Sequence, residues 1–272
     1  MEYRYYRIPA GSPALALLGE EWTQHYGRSI DYLHFHNHLE IGYCYYGDGL
    51  MTFREDDLPF QGDMFTIIPK NFPHTTNSSR DTLSSWEYLF VDADGFLADN
   101  YRSAPHMADR LIRRINRSAH LVHAKEHPET AALIRQLIEV MRSQKEFYQE
   151  EAAGLVWSIL IRIARWNHDG DENAVFSRPQ NSLAISRALN YIGVVPERPF
   201  KIEELAAMCH MSETHFRRVF VECMKTTPVE YINQVRIRRA CDELKRTNDP
   251  VSAIASRTGF STLSTFNRNF RR

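Results

Sequence analysis

The side chains with the greatest potential for chemistry lie in residues 34–40 (sequence HFHNHLE) and in the later dipeptide Pro73-His74. Residues two apart in a strand share a face, so His34 and His36 point the same way in an extended chain, and Glu40 has the same parity. Imidazole and carboxylate groups bind divalent transition metals, and they also hydrogen-bond polar organic molecules. This pattern predicts a polar binding site in the first third of the chain.

Short strands separated by turns must position these residues. The β-rich runs are residues 30–36, 41–46, 50–54, 65–68 and 86–91. Gly47-Asp48-Gly49 predicts a hairpin, and residues 55–57 and 62–63 predict further turns. Short strands at this spacing are typical of a jelly-roll sandwich or barrel.

The same region resembles the two cupin motifs, in which two histidines, a glutamate and a later histidine surround one point inside a small barrel. The resemblance implies a cupin-like ligand-sensing domain over residues 1–100, with these site residues: His34, His36, Glu40 and His74. Three interpretations remain open. The set suits a divalent transition metal such as Zn, Mn, Ni or Fe, it suits the hydroxyls of a sugar-like ligand, and it also suits a purely structural polar network.

Residues 101–168 are typical of a helical connector. Within them, 129–148 and 150–167 carry apolar residues at spacings of three and four, which predicts one apolar face on each helix. These faces either pack within the chain or form a dimer interface. Residues 169–181 are polar and predict an interdomain linker.

The last segment, residues 182–272, contains one pattern twice. The two copies run from Ile202 to Phe220 and from Val251 to Phe270, and each ends in Phe-x-Arg-x-Phe. Each copy predicts a helix-turn-helix unit, whose second helix lies in the DNA major groove. Between them, a capping box at Thr227 predicts a helix to about Arg246, which spans roughly 28 Å and so approaches the ~34 Å of one DNA turn. Asp249-Pro250 is expected to cap the next helix.

The charge distribution agrees with a nucleic-acid-binding C-terminal segment. Residues 182–272 hold fifteen Lys and Arg against nine Asp and Glu, whereas the rest of the chain holds eighteen against twenty-five. A basic segment attached to an acidic one is typical of a polyanion-binding module joined to a domain with another role.

The C-terminal segment resembles the DNA-binding domain of the AraC/XylS family of transcription regulators. The positions that match the family's sequence pattern are Leu205-Ala206, Ser212, Phe216-x-Arg218-x-Phe220, Pro228-x-x-Tyr231, Arg236-x-x-x-Ala240, Ile254-Ala255, Gly259-Phe260 and Phe266-x-Arg268-x-Phe270. The resemblance implies these DNA-binding residues: Thr214, Arg217 and Arg218 in the first recognition helix, and Ser264, Asn267 and Arg268 in the second. Arginine can bind guanine and asparagine adenine, while a phosphate contact is the alternative for each arginine.

Other conspicuous residues of this segment have structural interpretations. We expect Arg236, Arg238 and Arg239 to be structural or solvated, and we assign these side chains to the core: Phe216, Phe220, Phe266 and Phe270. Lys225 stands where the family usually has a glycine after the recognition helix, so this helix is expected to end differently.

The expected fold class is α+β with two domains, an N-terminal cupin-like jelly roll with a helical connector and a C-terminal all-α tandem helix-turn-helix domain. The expected function is sequence-specific transcription regulation controlled by a small polar ligand or a metal. We assign no catalytic residues; the alternative is a metal-dependent cupin enzyme with a DNA-binding tail. Expected partners are double-stranded promoter DNA, a small-molecule effector, a second copy of the chain and RNA polymerase.

The four cysteines, the start of the chain and the apolar runs bear on its location. Cys44, Cys209, Cys223 and Cys241 lack metal-ligand spacing and are typical of free thiols in a reducing compartment. The first residues lack the apolar core of a signal peptide, and no apolar run approaches ~18 residues. We therefore expect a cytoplasmic protein that does not contact a membrane.

Overall fold

A computed structural model describes residues 2–25, 33–54, 56–80, 82–168 and 185–271. Contacts divide the chain into two compact units: the β unit, residues 6–177, and the helical unit, residues 1–5 with 178–272. The β unit contains two sheets and several helices, and the helical unit contains the tandem helix-turn-helix segment. The expected α+β class with two domains is confirmed.

Antiparallel strands build the β unit. After β1 (Glu2–Arg4), which belongs to the helical unit, the strands are β2 (Leu15–Leu17), β3 (Thr23–His25), β4 (His34–His36), β5 (Leu39–Tyr46), β6 (Asp48–Phe53), β7 (Asp56–Gln61), β8 (Met64–Ile68), β9 (His74–Ser78), β10 (Leu83–Val91) and β11 (His120–His123). Within this unit, one sheet has the order β4-β9-β6-β7. The other has the order β11-β8-β5-β10-β2, and β3 also pairs with β10.

The predicted hairpin at Gly47 is wrong, because β5 and β6 belong to different sheets. β5 pairs with β8 and β10, whereas β6 pairs with β7 and β9. Gly47 is where the chain crosses from one sheet to the other. Its φ is +90°, and an added Cβ would lie 2.1 Å from the carbonyl oxygen of Leu83. The bend therefore requires glycine.

The turn predicted at residues 55–57 is also displaced. Arg54, with a φ of +61°, makes the bend, and Asp56 and Asp57 already belong to β7. Among the described strands β7 pairs only with β6, so its other side is an edge of the described sheet. An edge strand tolerates charged residues and proline, which explains why Pro59 lies within it. The turn at residues 62–63 is confirmed, with Asp63 at a φ of +64°.

The described part of the β unit also contains a short 3-10 helix (Glu20–Trp22) and the α-helices α1 (Ala93–Asn100), α2 (Pro105–Ile115), α3 (Pro128–Ser143) and α4 (Tyr148–Trp166). The apolar faces of α3 and α4 pack together and onto one face of the sheet that contains β5, β8 and β10. Leu137 of α3 and Ile159 of α4 are fully buried in this core. Ile41 of β5 points toward it, so the neighbouring Glu40 points to the opposite face, between the two sheets.

The helical unit contains α5 (Ser186–Val194), α6 (Ile202–Met208), α7 (Glu213–Met224), α8 (Pro228–Arg246), α9 (Val251–Arg257) and α10 (Leu263–Phe270). Helices α6–α7 and α9–α10 are the two predicted helix-turn-helix units, and α8 joins them. The capping box of Thr227 and Glu230 is present at the start of α8. The predicted linker, residues 169–181, lies outside the described residues.

Strand β1 packs within the helical unit. Tyr3 is 1% exposed, and its ring lies 5.6 Å from that of Tyr231 on α8. Nε of Arg238 donates a hydrogen bond to the carbonyl oxygen of Tyr3 over 2.9 Å. Among the described residues, no helix is long and apolar enough to span a membrane.

Candidate functional site

The structure brings the four residues implied by the cupin resemblance to one place. We call them the histidine cluster: His34 and His36 on β4, Glu40 on β5 and His74 on β9. Their exposed fractions are 8%, 0%, 4% and 1%, respectively. The ring centroids of His34 and His74 are 4.2 Å apart, and those of His36 and His74 are 5.0 Å apart. Pairing of His34 with His74 across the β4–β9 ladder produces this proximity.

Two of the histidines are held by the backbone through the same ring atom. Nδ1 of His36 lies 2.7 Å from the carbonyl oxygen of His38, and Nδ1 of His74 lies 2.8 Å from the carbonyl oxygen of Phe72. A carbonyl oxygen can only accept, so Nδ1 carries the proton in each ring. In the neutral imidazole the other nitrogen, Nε2, is then unprotonated.

Both Nε2 atoms face the carboxylate of Glu40. Nε2 of His36 is 3.1 Å from Oε2, and Nε2 of His74 is 3.6 Å from Oε1. Neither Nε2 makes a well-aligned hydrogen bond with the described residues. In addition, one potential ligand atom from each of His34, Glu40 and His74 lies within 4.8 Å of the others. These three side chains are therefore close enough to approach a single small ligand, and His36 contacts one of them, Glu40.

Burial and mutual contact determine the protonation of the cluster. Burial lowers the pKa of His36, and the neighbouring Glu40 only partly offsets this effect. Burial by itself would raise the pKa of Glu40, but His74 and His36 hold it well below its usual value. Glu40 is therefore an anion at neutral pH, and burial favours the uncharged form of His36.

Aromatic rings cover one side of the cluster. Phe90 is the register partner of Glu40, and its ring centroid lies 5.1 Å from that of His36. Tyr6 stacks on Phe90 at 3.9 Å, and the side chain of Asn37 holds the backbone of Tyr6 with two hydrogen bonds of 2.9 Å. Phe90 is not among the predicted site residues, although its position in the predicted strand 86–91 places it on the same face as Tyr88 and Trp86.

The first predicted recognition helix, α7, exposes the residues expected to bind DNA. The hydroxyl of Ser212 caps its first turn by accepting from the amide of His215. Its buried face includes Phe216, Val219 and Phe220. The exposed candidates are Thr214, Arg217 and Arg218. Ser212 is thus confirmed as the N-cap, and the three candidates lie off the buried face.

The two arginines of α7 differ in their surroundings. Nε and Nη2 of Arg217 lie 2.7 Å and 2.6 Å from Oε1 of Glu213, one turn earlier. Arg218 lies at the 4.0 Å limit of an ion pair with Glu222, and its side chain is 69% exposed. Arg218 is therefore the less restrained of the two.

The C-terminal end of α7 shows that the expected effect of Lys225 on how the helix ends is wrong. Lys225 occupies the left-handed C-cap position with a φ of +50°. Glycine is the usual residue there because it has no Cβ to collide with the following carbonyl. The helix keeps the common left-handed ending, but with a lysine in place of glycine.

The second predicted recognition helix, α10, is similar in outline. Thr262 caps it by accepting from the amide of Thr265. The exposed candidates are Ser264, Asn267 and Arg268. Phe266 is buried, as predicted, but Phe270 is 45% exposed, so its assignment to the core is wrong. Phe270 lies in the last turn of the helix, where its ring stacks on that of Phe266 with the centroids 5.4 Å apart.

Two further predictions about the helical unit can be compared with the structure. Gly259 lies in the turn between α9 and α10 with a φ of +95°, as expected. Asp249 does not cap α9: the N-cap is Pro250, without a side-chain hydrogen bond, and Asp249 instead accepts from Arg257 over 2.8 Å. The ring of Pro250 fixes its φ at a value that suits the start of a helix. The side chain of Asp249 pairs with Arg257 instead of capping the helix.

The structural interpretation of Arg236 is confirmed. Its guanidinium donates to the carbonyl oxygens of Pro196 and Arg198, over 2.7 Å in each case. It also lies over the rings of Phe200 and Phe260. This side chain therefore connects the segment before α6 with the turn of the second helix-turn-helix unit.

Tandem helix-turn-helix units on a joining helix, together with a β domain that encloses a polar cluster, define a DNA-binding transcription regulator with a ligand-binding domain. Comparison with protein families agrees. The model of the AraC-like ligand binding domain matches residues 15–160, and the model of a helix-turn-helix domain matches residues 205–272. The chain belongs to the AraC family of transcription regulators.

Individual relatives support the same class. The chain is 35% identical over 88 residues to the HTH-type transcriptional regulator AlkR of Acinetobacter baylyi. This alignment covers 32% of this chain and 29% of AlkR. It is 22% identical over 214 residues to the raffinose operon regulatory protein RafR of Pediococcus pentosaceus, covering 78% of this chain and 72% of RafR. The segment that matches AlkR therefore spans less than a third of the length of that relative.

The fold is also similar to that of a solved structure. ToxT from Vibrio cholerae O395 superposes with a TM-score of 0.60 at 13% identity, covering 95% of this chain and 93% of ToxT. At this identity the likeness concerns the fold alone. The relatives are transcription regulators rather than enzymes, so the alternative of a cupin enzyme with a DNA-binding tail is not supported.

Proposed function

We propose that this regulator binds a small polar effector at the histidine cluster, and that binding changes how its two helix-turn-helix units engage promoter DNA. The observation that carries the proposal is the burial of four polar side chains at one point of the β unit. A buried anion costs several kcal/mol, roughly, in folding free energy unless it has partners, and His36 and His74 are the partners of Glu40 here. A polar effector would add further partners to these side chains.

Two classes of effector fit the cluster. A sugar-like molecule would place hydroxyl groups on Glu40 and on the histidine nitrogens, with a ring face against Phe90 or Tyr6. The name of the relative RafR refers to a raffinose operon, which is in keeping with this class. A divalent transition metal, namely Zn, Mn, Ni or Fe, would use the imidazole nitrogens and the carboxylate as ligands.

For the DNA, we propose direct contacts from the exposed candidates on the two recognition helices. They are Thr214, Arg217, Arg218, Ser264, Asn267 and Arg268. The joining helix α8 has 19 residues, which corresponds to roughly 28 Å. This length is in keeping with the insertion of the two recognition helices into successive major grooves on one face of the duplex.

The effector would act by stabilising one of two preexisting arrangements of the regulator. Further partners in this proposal are a second copy of the chain, contacted through the helices of the β unit, and RNA polymerase at the promoter. The site of action is the cytoplasm, where promoter DNA is accessible and where the buried free thiols, such as Cys44 and Cys209, stay reduced.

A two-stage experiment tests this proposal. First, the full chain selects its binding site from a pool of random DNA duplexes. Second, thermal unfolding and affinity for the selected site are measured with a panel of sugars and, after dialysis against a chelator, with divalent metals. An effector should raise the melting temperature and change DNA affinity by about 5–150-fold, the range of ordinary allosteric coupling.

The matched variants are His74→Gln in the cluster and His123→Gln on β11, outside the cluster. The first should abolish the response to the effector, whereas the second should keep it. A chain that selects no DNA sequence contradicts the regulatory role. An effector response that survives His74→Gln contradicts the assignment of the effector site.

A further inference from the structure

We propose that helix α2 of the β unit carries a further DNA-binding surface, which binds the phosphate backbone of the duplex that the recognition helices read. We name this surface the basic face and define it by four residues: Arg110, Arg113, Arg114 and Arg117. The inference rests on the proposed binding of promoter DNA, and it adds to that function a phosphate contact made by the β unit.

The basic face concentrates positive charge in an otherwise acidic part of the chain. Residues 105–117 hold four arginines against one acid, Asp109, whereas the remainder of residues 1–181 holds fourteen Lys and Arg against twenty-four Asp and Glu. The arginines stand three and four residues apart, and this spacing places them on one side of a helix. Leu111 and Ile115 pack into the apolar core from the other side of α2.

Two arginines of the basic face make no ion pair within the described part of the chain. Arg110 and Arg113 are both exposed, and neither side chain contacts an acidic group of another described residue, including Asp109 one turn before Arg113. By contrast, Arg162 on the neighbouring α4 pairs with Glu129 over 2.8 Å. Like charges at these helical spacings repel each other, and the helix dipole compensates only in the last turn. A polyanion bound to the face removes this repulsion.

The other two arginines are half-buried, and the backbone around them is held in place. Nη1 of Arg117 donates to the carbonyl oxygen of His168 over 2.9 Å, and Nδ2 of Asn167 donates to the carbonyl oxygen of Arg114 over 2.8 Å. These bonds fasten the C-terminal end of α2 to the end of α4, where exposed Arg165 adds a further cation. The backbone that carries the charges is thus fixed before a polyanion binds, which lowers the cost of binding.

The composition of the basic face favours phosphates over a protein partner. None of the exposed large apolar side chains among the described residues lies within residues 105–117, whereas protein interfaces are built around a buried apolar or aromatic centre. A two-fold contact of this face with its own copy would place arginines against arginines. Guanidinium groups, in contrast, match phosphate oxygens in charge and in bidentate geometry.

The dimensions of the face also suit a nucleic-acid backbone. Seven residues of helical rise separate Arg110 from Arg117, which is roughly 10 Å, and one strand of B-DNA presents about three phosphates along that distance. Because the recognition helices hold the duplex close to the chain, this contact forms at a high effective concentration of phosphate. A weak contact can therefore contribute to the affinity of the complex.

The test compares DNA affinity of the full chain at salt concentrations between about 50 and 200 mM, with the selected duplex and with an unrelated one. Arg110→Ala/Arg113→Ala should lower the salt slope by about 1.8, so that the fall in affinity over this range becomes roughly 12-fold smaller. The ratio of the two affinities should stay at the wild-type value, because phosphate contacts carry no sequence information. Alanine is the best helix former, so the melting temperature should remain that of the wild type.

Two matched variants control for net charge. Arg110→Lys/Arg113→Lys keeps both charges and should keep the wild-type salt slope. Arg102→Ala/Lys145→Ala removes the same charge from two exposed residues outside the basic face, and it should also keep the wild-type slope. If this second variant lowers the slope as much as Arg110→Ala/Arg113→Ala does, the effect is one of net charge and the proposal is overturned.

Arginine modification provides a second measurement on the wild-type chain, which does not depend on whether a variant folds. Phenylglyoxal reacts with accessible guanidinium groups, and mass spectrometry compares the modified peptides with and without the selected duplex. We expect DNA to slow the modification of Arg110 and Arg113 and to leave that of Arg102 unchanged. Equal modification of Arg110 and Arg113 in both conditions overturns the proposal.

Failure of this inference can be told apart from failure of the proposed function. If the wild-type chain selects no DNA sequence, both fail together. If it selects a site that Arg218→Ala weakens, but Arg110→Ala/Arg113→Ala keeps the wild-type salt slope and affinity, the proposed function stands and the basic face does not bind DNA. An acidic protein surface then becomes the alternative occupant.

Discussion

Replacement of Arg218 by alanine is the sharpest perturbation of the proposed DNA contacts. The side chain of Arg218 is 69% exposed on α7, and its only described ion pair, with Glu222, is at the 4.0 Å limit. Such an exposed pair stabilises a protein by at most about 0.3–0.5 kcal/mol, and alanine is the best helix former. We therefore expect Arg218→Ala to leave the free energy of unfolding nearly unchanged, so that a loss of DNA affinity reports on the contact itself.

The expected loss depends on what Arg218 touches. A base contact contributes about 1–3 kcal/mol, which corresponds to roughly 5–150-fold in affinity. A phosphate contact would instead lower affinity for all sequences and reduce the salt slope by about 1. Arg217 must first release Glu213, to which it is bound at 2.6–2.7 Å. Its substitution should therefore cost less than that of Arg218, by about 0.3–0.5 kcal/mol.

The assay is fluorescence anisotropy with the selected duplex and with an unrelated duplex, at salt concentrations between about 50 and 200 mM. Arg102→Ala is the matched control, because Arg102 is an 80%-exposed arginine of the β unit that pairs with Asp99. This control should bind both duplexes like the wild type. Wild-type affinity of Arg218→Ala for both duplexes at every salt concentration would refute the assignment of α7 as a DNA-contacting helix.

Three further predictions concern stability. Lys225→Gly should raise the free energy of unfolding by about 1 kcal/mol in urea titrations, because glycine adopts the φ of +50° without strain; a decrease would show that other contacts of Lys225 dominate. Gly47→Ala should lower the melting temperature severely, by at least the equivalent of about 2 kcal/mol, because its Cβ would lie 2.1 Å from a carbonyl oxygen; wild-type stability would refute the observed crossing between sheets. Burial would raise the pKa of Glu87, but Arg142, Tyr45 and the amide of Gly19 hold it below its usual value. Its carboxylate therefore stabilises the fold above the unfolded pKa of about 4.3, and this contribution is lost as the pH falls through the lower folded pKa. Glu87→Gln should cost about 1–3 kcal/mol at pH 7 and progressively less below about pH 4, measured by urea unfolding at both pH values; a difference that does not change with pH would contradict the ionised carboxylate.

The proposed effector site and the DNA contacts proposed for the recognition helices depend on different units of the chain. The histidine cluster lies within residues 6–177, and the recognition helices lie within 178–272. The experiments on each unit can therefore succeed or fail independently. Only the change in DNA affinity on effector binding tests the coupling between them.

The helical unit was largely predictable from the sequence, because its signals are local. Ser212 and Thr227 mark the starts of two helices, because each side chain accepts a hydrogen bond from the backbone amide three residues later. The spacing of apolar residues determines which face of α7 is buried. Phe270 was assigned wrongly because the pattern cannot show how much of a helix face is covered at its last turn. Asp249 was assigned wrongly because its pairing with Arg257 depends on how α9 meets the preceding loop.

In the β unit the sequence identified five extended segments, which correspond to β4, β5, β6, β8 and β10, but it did not identify β2, β3, β7, β9 and β11. The tertiary structure decided what the strands pair with. The alternation of side chains along an extended chain predicted that His36 and Glu40 lie on the same face. Nothing in the local sequence distinguishes a hairpin at Gly47 from a crossing between two sheets. Ladder partners are contacts distant in sequence, and they depend on the packing of the whole unit. The same reason applies to the cluster: residue types predicted a polar site, but only the fold directs the Nδ1 protons of His36 and His74 to carbonyl oxygens and leaves Nε2 facing Glu40.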